Sequence, residues 1–299
     1  MINAHLRKAL SKQTWQPAIR DWLKNTLATG LINLTALVVS GLFVWLLSDV
    51  VLHGLPKLSW GFVFDAPRNA GRAGGIAPII VSTSWILLVA IAAAAPLGLA
   101  TAVLLTEFTR PASRFGRCVE ASVGVLAGVP SIVFGLFGNA FFCVYLKLGF
   151  SILSGGLTLA CMVLPILIHT AVEGLRAAPD EYRQAAAALG MSRSAALLHL
   201  LIPAAAPALL AGLLLGIGRA GAETAALIFT SGYVDRMPGS WLDSGRALSV
   251  HIYDLSMNVA GGDANAYASA LVLIVLLLTI NSLAMALTQH WLHKKMIRL

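Results

Sequence analysis

Arg219 and Glu223 stand four residues apart inside a run that is otherwise apolar, from Ala204 to Thr230. A charge near the centre of a bilayer costs roughly 2.5–3.5 kcal/mol on insertion scales and about 10–17 kcal/mol in simulations of an isolated helix. Charged side chains in such a run therefore face a protein interior or a wet cavity, and they commonly mark the route of an ion or substrate. The same spacing also allows a structural ion pair, because residues i and i+4 share a helix face. His169 and Glu173 repeat that spacing in a second apolar run, which fits a hydrogen-bonded pair or a proton relay. No nucleophile with its base, and no metal cluster, lies near Arg219 and Glu223. Cys118, Cys143 and Cys161 lack paired ligand spacing, so the sequence predicts neither a disulfide nor a metal site. Gly216-x-Gly218-x-x-Gly221 has dinucleotide-fingerprint spacing but no preceding strand, and no Gly-x4-Gly-Lys-Ser/Thr loop exists to bind ATP.

The elements that must position these charges are membrane spans. The chain is 58% hydrophobic and 11% charged, where soluble domains carry about 25% charge. A hydrocarbon core of about 30 Å needs about 20 apolar residues to cross it. Stretches of that kind fall near 29–52, 77–105, 121–147, 152–175, 204–230 and 267–290, which predicts an all-α membrane protein of six transmembrane helices. Pro96 and Pro130 fall inside two of them, a placement that membrane helices tolerate when neighbours re-satisfy the backbone. Fourteen Lys and Arg flank one side of this pattern and six the other, so the positive-inside rule predicts both termini in the cytoplasm. The net charge of +8 is spread over those flanks without any stacking platform, which excludes a nucleic-acid partner and leaves membrane lipid as the surroundings. Residues 1–28 read as a cytoplasmic tail before an uncleaved first span, and 291–299 as a second tail.

Three connections stand out. Residues 53–76 and 231–266 lie on the external side, and Ala247–Leu255 has the apolar spacing of a short external helix, packed on the protein itself or used for docking. The connection at about 179–203 differs in kind. Pro179, Asp180 and Glu181 suit the start of a helix. Gly190 suits a break with positive φ, Ser192 a new cap, and Pro203 the end of a second short helix. Gly124-x3-Gly128 and Gly212-x3-Gly216 suit close helix approach, pointing to packing with a partner subunit.

Gln184-Ala185-Ala186-x3-Gly190-x9-Leu200-x-Ile202-Pro203 resembles the EAA loop of importer-type ABC permeases, with Gln184 where the pattern has Glu. The segments Gly75–Thr83, Leu126–Gly138, Gly218–Ala225 and Ala247–Tyr253 resemble the PstA-type permease subunits of phosphate importers, over about residues 74–290. Relatives often carry Arg where this chain has His169.

That resemblance implies a type I ABC importer permease-like fold in a bacterial inner membrane, with a permease core over 74–290 preceded by a first span and external loop over 29–73. It implies that Glu181, Gln184, Ala185, Ala186, Gly190 and Pro203 belong to cytoplasmic coupling helices. A PstC-like permease subunit would complete the pore, an external phosphate-binding protein would deliver the anion, and two ATP-binding PstB-like subunits would hold the ATP, so this chain carries no cofactor of its own. Arg219, Glu223, Thr224 and His169 would line the substrate pathway, with Arg219 offering the oxyanion a charge-assisted contact and Glu223 holding Arg219 in place. Permeases for sulfate or molybdate share the Arg-then-Glu pattern and remain an alternative, as does a membrane-embedded enzyme acting on lipid phosphate.

Overall fold

The computed structural model describes residues 15–110 and 113–296. Two compact units emerge, residues 1–52 and 53–299. The described part of the first unit lies in helix α1 (Trp15–Gly54). Leu31, Leu37, Phe43 and Trp45 are exposed on different sides of α1. A helix that is apolar all round belongs in lipid or in a large core, and α1 is long and apolar enough to cross a membrane. The two tails expected at 1–28 and 291–299 fall partly outside the described residues, at 1–14 and 297–299.

The second unit opens with a 3₁₀ turn (Leu55–Lys57) and a one-turn helix, α2 (Trp60–Phe64). A two-residue hairpin follows, β1 (Pro67–Arg68) antiparallel to β2 (Ala73–Gly74), with Pro67 opposite Gly74. Long helices then form the bundle: α3 (Ala77–Val103), α6 (Ile152–Ala177), α9 (Ile202–Gly221) and α12 (Asp263–Met296). Between them lie α4 (Arg114–Ala127), α5 (Ser131–Gly138), α7 (Asp180–Ala188), α8 (Arg193–Ala196), α10 (Ala225–Ile228) and α11 (Leu248–Met257). Small residues let backbones approach where hydrophobic force between helices is weak. On α6, Gly156 faces Val89 of α3, while Gly212 and Gly216 of α9 face Thr170 and Leu167 of α6. The second Gly-x3-Gly pair is thus used inside the chain rather than against another subunit; an added side chain at Gly124 of the first would meet nothing. The resulting core is continuous along α6, with Ile152, Leu159, Val163 and Leu175 at 0% exposure.

Among the described residues, five helices are long and apolar enough to span a membrane, or six if α4 and the segment Ser131–Tyr145 count as one bent span. The chain is an all-α, multi-pass membrane protein, and two of its spans differ from the expected ones. The expected span at 121–147 is broken by 102° between α4 and α5. Pro130 has no N–H to continue the ladder and biases Val129 away from helical geometry, and it sits extended at ψ 143°. The expected span at 204–230 begins and ends earlier. Residues Arg193–Gly221 form one continuous helix across α8, a π turn (Leu197–Leu201) and α9. Pro203 therefore does not stop the second short helix. The wider π turn just before it changes the local register, which accommodates a proline that lacks a donor and crowds the preceding turn.

Candidate functional site

Arg219 lies in the last turn of α9, where the helix is about to end at Gly221. Its side chain is exposed, not to a flat surface but to a cavity of about 550 Å³. The cavity walls come from α4, α5 and α6 as well as α9: Leu126, Phe134, Met162, Pro165 and Ile166 are apolar, while His169, Thr170 and Glu173 are polar. His169 and Glu173 share the α6 face that also carries Met162 and Ile166, as residues three and four apart do. The bend at Pro130 shapes this space, because it brings both Ala127 of α4 and Phe134 of α5 to the same wall. Arg219 makes no ion pair among the described residues. An unpaired guanidinium in a cavity with a largely apolar wall presents a ready site for an anion.

Glu223 does something else. With α9 ended at Gly221, the i,i+4 geometry with Arg219 no longer holds. Glu223 is 8% exposed, and its Oε1 accepts the backbone N–H of Ala226 at 3.2 Å, capping the short helix α10. Its carbonyl oxygen accepts the Ser249 hydroxyl of α11 at 2.6 Å. A carboxylate at a helix N-terminus satisfies an otherwise orphaned donor, so Glu223 fixes the break below Arg219. Thr224 occupies the cap position of α10 without a capping side-chain bond. Of the four expected pathway residues, the structure brings Arg219 and His169 into one cavity and places Glu223 and Thr224 outside its lining. Glu173, paired with His169 by its spacing in the sequence, and Thr170 join the first two on that wall.

The connection at 179–203 takes the expected shape through its first helix, the turn at Gly190 and the cap at Ser192, while its second helix runs on past Pro203 into α9. Asp180 and Glu181 lie in the first turn of α7. Gly190 has φ +68°, Met191 N–H donates to Ala186 O at 2.9 Å and Gly190 N–H to Ala187 O at 3.0 Å, a Schellman closure that needs the left-handed residue. Ser192 Oγ accepts Ala195 N–H at 3.2 Å and starts the next helix. Gln184 and Ala185 are exposed while Ala186 is buried, so one side of α7 is free and the other packs. Arg183, adjacent to Gln184, ties this helix to the bundle. Its guanidinium donates to Glu107 Oε1 at 2.8 Å and Oε2 at 3.4 Å, to Leu175 O at 2.9 Å and to Ala178 O at 3.2 Å. Glu107 is the main cause that raises the Arg183 pKa above its ordinary value. Glu107 sits on the π turn (Leu104–Phe108) that ends α3, 76 residues away in sequence, and nothing in local spacing reveals the pair.

At the opposite end, the expected short helix near Ala247–Leu255 forms as α11. Arg246 donates to Tyr233 O at 2.9 Å and pairs with Asp254 at 3.2 Å. His251 is fully buried beneath the hairpin, with Gly71 (φ +85°) so close to its ring that a Cβ there would lie 2.9 Å from it. Burial, then the neighbouring Arg246, lowers the His251 pKa from 6.5 to about 4. Its Nδ1 lies 3.4 Å from the Arg246 guanidinium.

Residues 94–298 match the family model "Binding-protein-dependent transport system inner membrane component". The chain is 33% identical over 273 residues to the phosphate transport system permease protein PstA of Mycobacterium leprae, covering 88% of each protein. It is 28% identical over 274 residues to the probable ABC transporter permease protein YqgI of Bacillus subtilis, covering 87% of this chain and 93% of that one. The inward facing MetNI methionine ABC transporter shares the fold, at TM-score 0.56 and 18% identity over 74% of this chain and 95% of that one. The family match covers the break at Pro130, the Arg219 cavity and the 179–203 connection together, and it sets aside the reading of the chain as a membrane enzyme. The chain belongs to the binding-protein-dependent transport system inner membrane components, the membrane-embedded permease subunits of ABC importers.

Proposed function

We propose that this permease subunit carries inorganic phosphate, with Arg219 as the contact that the anion meets inside the membrane. The observation that carries this reading is the unpaired Arg219 opening into a cavity of about 550 Å³ beside His169 and Glu173. Similarity to PstA-type proteins supports phosphate over other oxyanions. The guanidinium offers a bidentate, charge-assisted contact, and Glu173 on the same wall opposes tight retention of a divalent anion. In place of the ion pair expected from sequence, Glu223 acts by holding the α9–α10 break that aims Arg219 into the cavity, with Thr224 at the same break.

A PstC-like subunit supplies the other half of the pathway, an external phosphate-binding protein delivers the anion, and two PstB-like subunits bind and hydrolyse ATP. With both termini in the cytoplasm, as the charge asymmetry supports, the 179–203 connection faces those ATPases. The exposed side of α7, with Glu181, Gln184 and Ala185, then docks on them, Gly190 turns the chain, and Arg183 transmits the push to α3 through Glu107. Gln184 gives that surface a hydrogen bond where relatives have a charge.

Uptake of labelled phosphate in cells whose own phosphate importers are deleted tests the substrate. Expression of this chain with its partner subunits restores uptake that excess sulfate or molybdate leaves unchanged. Suppression of uptake by either competitor would assign the pathway to that oxyanion instead.

A further inference from the structure

The Arg219 cavity does not stand alone. A second cavity of about 250 Å³ shares His169 and Glu173 with it. A third, of about 320 Å³, shares Leu105, Glu120 and Arg176 with the second. The three lie in series from the Arg219 wall to the end of the bundle that carries α7. The third cavity is lined by Arg110, Arg117 and Arg176 against one carboxylate, Glu120, which leaves two positive charges uncompensated. Arg110 and Arg117 make no ion pair among the described residues. Arg176 donates to Glu120 at 2.8 Å, with both side chains about half exposed at 59% and 46%. That bond sits on the wall common to the second and third cavities.

We propose that Arg110, Arg117 and Arg176 form a second station for a divalent phosphate-type oxyanion, which receives the anion after Arg219 and releases it past the coupling-helix end. The proposal rests on the anion reading of Arg219. Its charge matches the ligand: two net positive charges face two negative ones. The route is ordered, because each step shares residues with the next. The Arg176–Glu120 pair is a reversible latch, weak enough to open because exposed ion pairs contribute little. The same chemistry suits the phosphate of an anionic lipid headgroup, since basic pockets between spans on the cytoplasmic side hold such lipids. The series of shared walls favours the transported ion over lipid.

Arginine modification by phenylglyoxal in the assembled complex decides the matter. The complex is placed in nanodiscs of phosphatidylcholine, and labelling is read by peptide mass spectrometry with and without inorganic phosphate. Arg114 is exposed but outside the cavity lining and serves as the internal control. With phosphate at about ten times its dissociation constant, labelling of Arg110 and Arg117 falls about tenfold while Arg114 is unchanged. Equal protection of all three, or of none, overturns the site, as does an absence of labelling without phosphate, which would mean that partner subunits cover it. Protection that appears only when phosphatidylglycerol replaces phosphatidylcholine, without phosphate, assigns the cavity to lipid and overturns the station. Arg219→Ala separates the two proposals: protection at Arg110 and Arg117 persists in that variant, whereas wild-type uptake by it would refute the pathway role of Arg219 alone.

Discussion

Replacing Arg183 by Gln removes the guanidinium that holds α7 against the bundle. Four acceptors lose their donor: Glu107, Leu175 O, Ala178 O and Asp180. Hydrogen bonds to charged groups contribute about 1.5–3 kcal/mol each net, and stripping one partner from a buried pair costs roughly 3–5 kcal/mol. The side chains here are 29% and 15% exposed. Water therefore reaches both, and the loss falls to about 2 kcal/mol. The effect is local, on the opening of α7, and hydrogen exchange of its amides reads it directly. Since about 1.4 kcal/mol is tenfold, exchange across residues 183–191 accelerates about thirtyfold in Arg183→Gln. Arg193→Gln, at an exposed arginine of α8, leaves those amides unchanged. Glu107→Gln accelerates them as well, and the double variant falls short of the sum because one interaction is removed twice. If Arg183→Gln and Arg193→Gln exchange alike, the strut does not hold α7, and transmission through Glu107 is wrong.

Two further outcomes follow from packing and from titration. His251 has a folded-state pKa depressed from 6.5 to about 4, so the fold prefers the neutral ring. Its contribution is fully present above about pH 6.5 and is lost as pH falls toward 4, an acid penalty of about 3 kcal/mol at the low end and about 2 kcal/mol at pH 5. Thermal unfolding at pH 7 and pH 5 will show a drop in wild type that His251→Gln largely removes; equal drops in both would exclude His251 as the source. At Gly212 a methyl group would collide with the Thr170 hydroxyl, and Gly212→Ala destabilises the α6–α9 contact by about 1–3 kcal/mol, as overpacking does. Thr170→Ala added to Gly212→Ala recovers most of the loss in the same unfolding assay, and no recovery would mean that another contact governs the spacing.

Much of this arrangement is legible from residues near one another in the chain. Gly190 closes α7 because a left-handed residue must follow a Schellman turn, and Ser192 restarts the helix because its hydroxyl accepts an orphaned N–H. His169 and Glu173 reach one cavity because they sit one turn apart. Breaks inside apolar runs are harder to see. Pro130 and Pro203 look alike in sequence, yet one bends a span by 102° and the other sits in a continuous helix behind a π turn. The difference arises from tertiary partners: beyond the Pro130 bend, Gly135 packs on Ala226 and Asn139 donates to Phe229 O at 2.8 Å, 90 residues away. Glu223 misleads for a related reason, since its i,i+4 relation to Arg219 presumes a helix that in fact ends at Gly221. Long-range pairs such as Arg183 with Glu107 leave no local period to read.

Labelled phosphate uptake by proteoliposomes containing the assembled importer, with wild-type, Arg219→Ala or Arg219→Lys permease, tests the central claim most directly. Subunit ratios and ATP hydrolysis in the same preparations establish that assembly is intact. Arg219→Ala loses uptake at least about tenfold, because a charge-assisted contact inside a largely apolar cavity is removed, and Arg219→Lys, which keeps the charge but not the fork, retains an intermediate rate. Wild-type uptake by an intact Arg219→Ala complex would contradict the account.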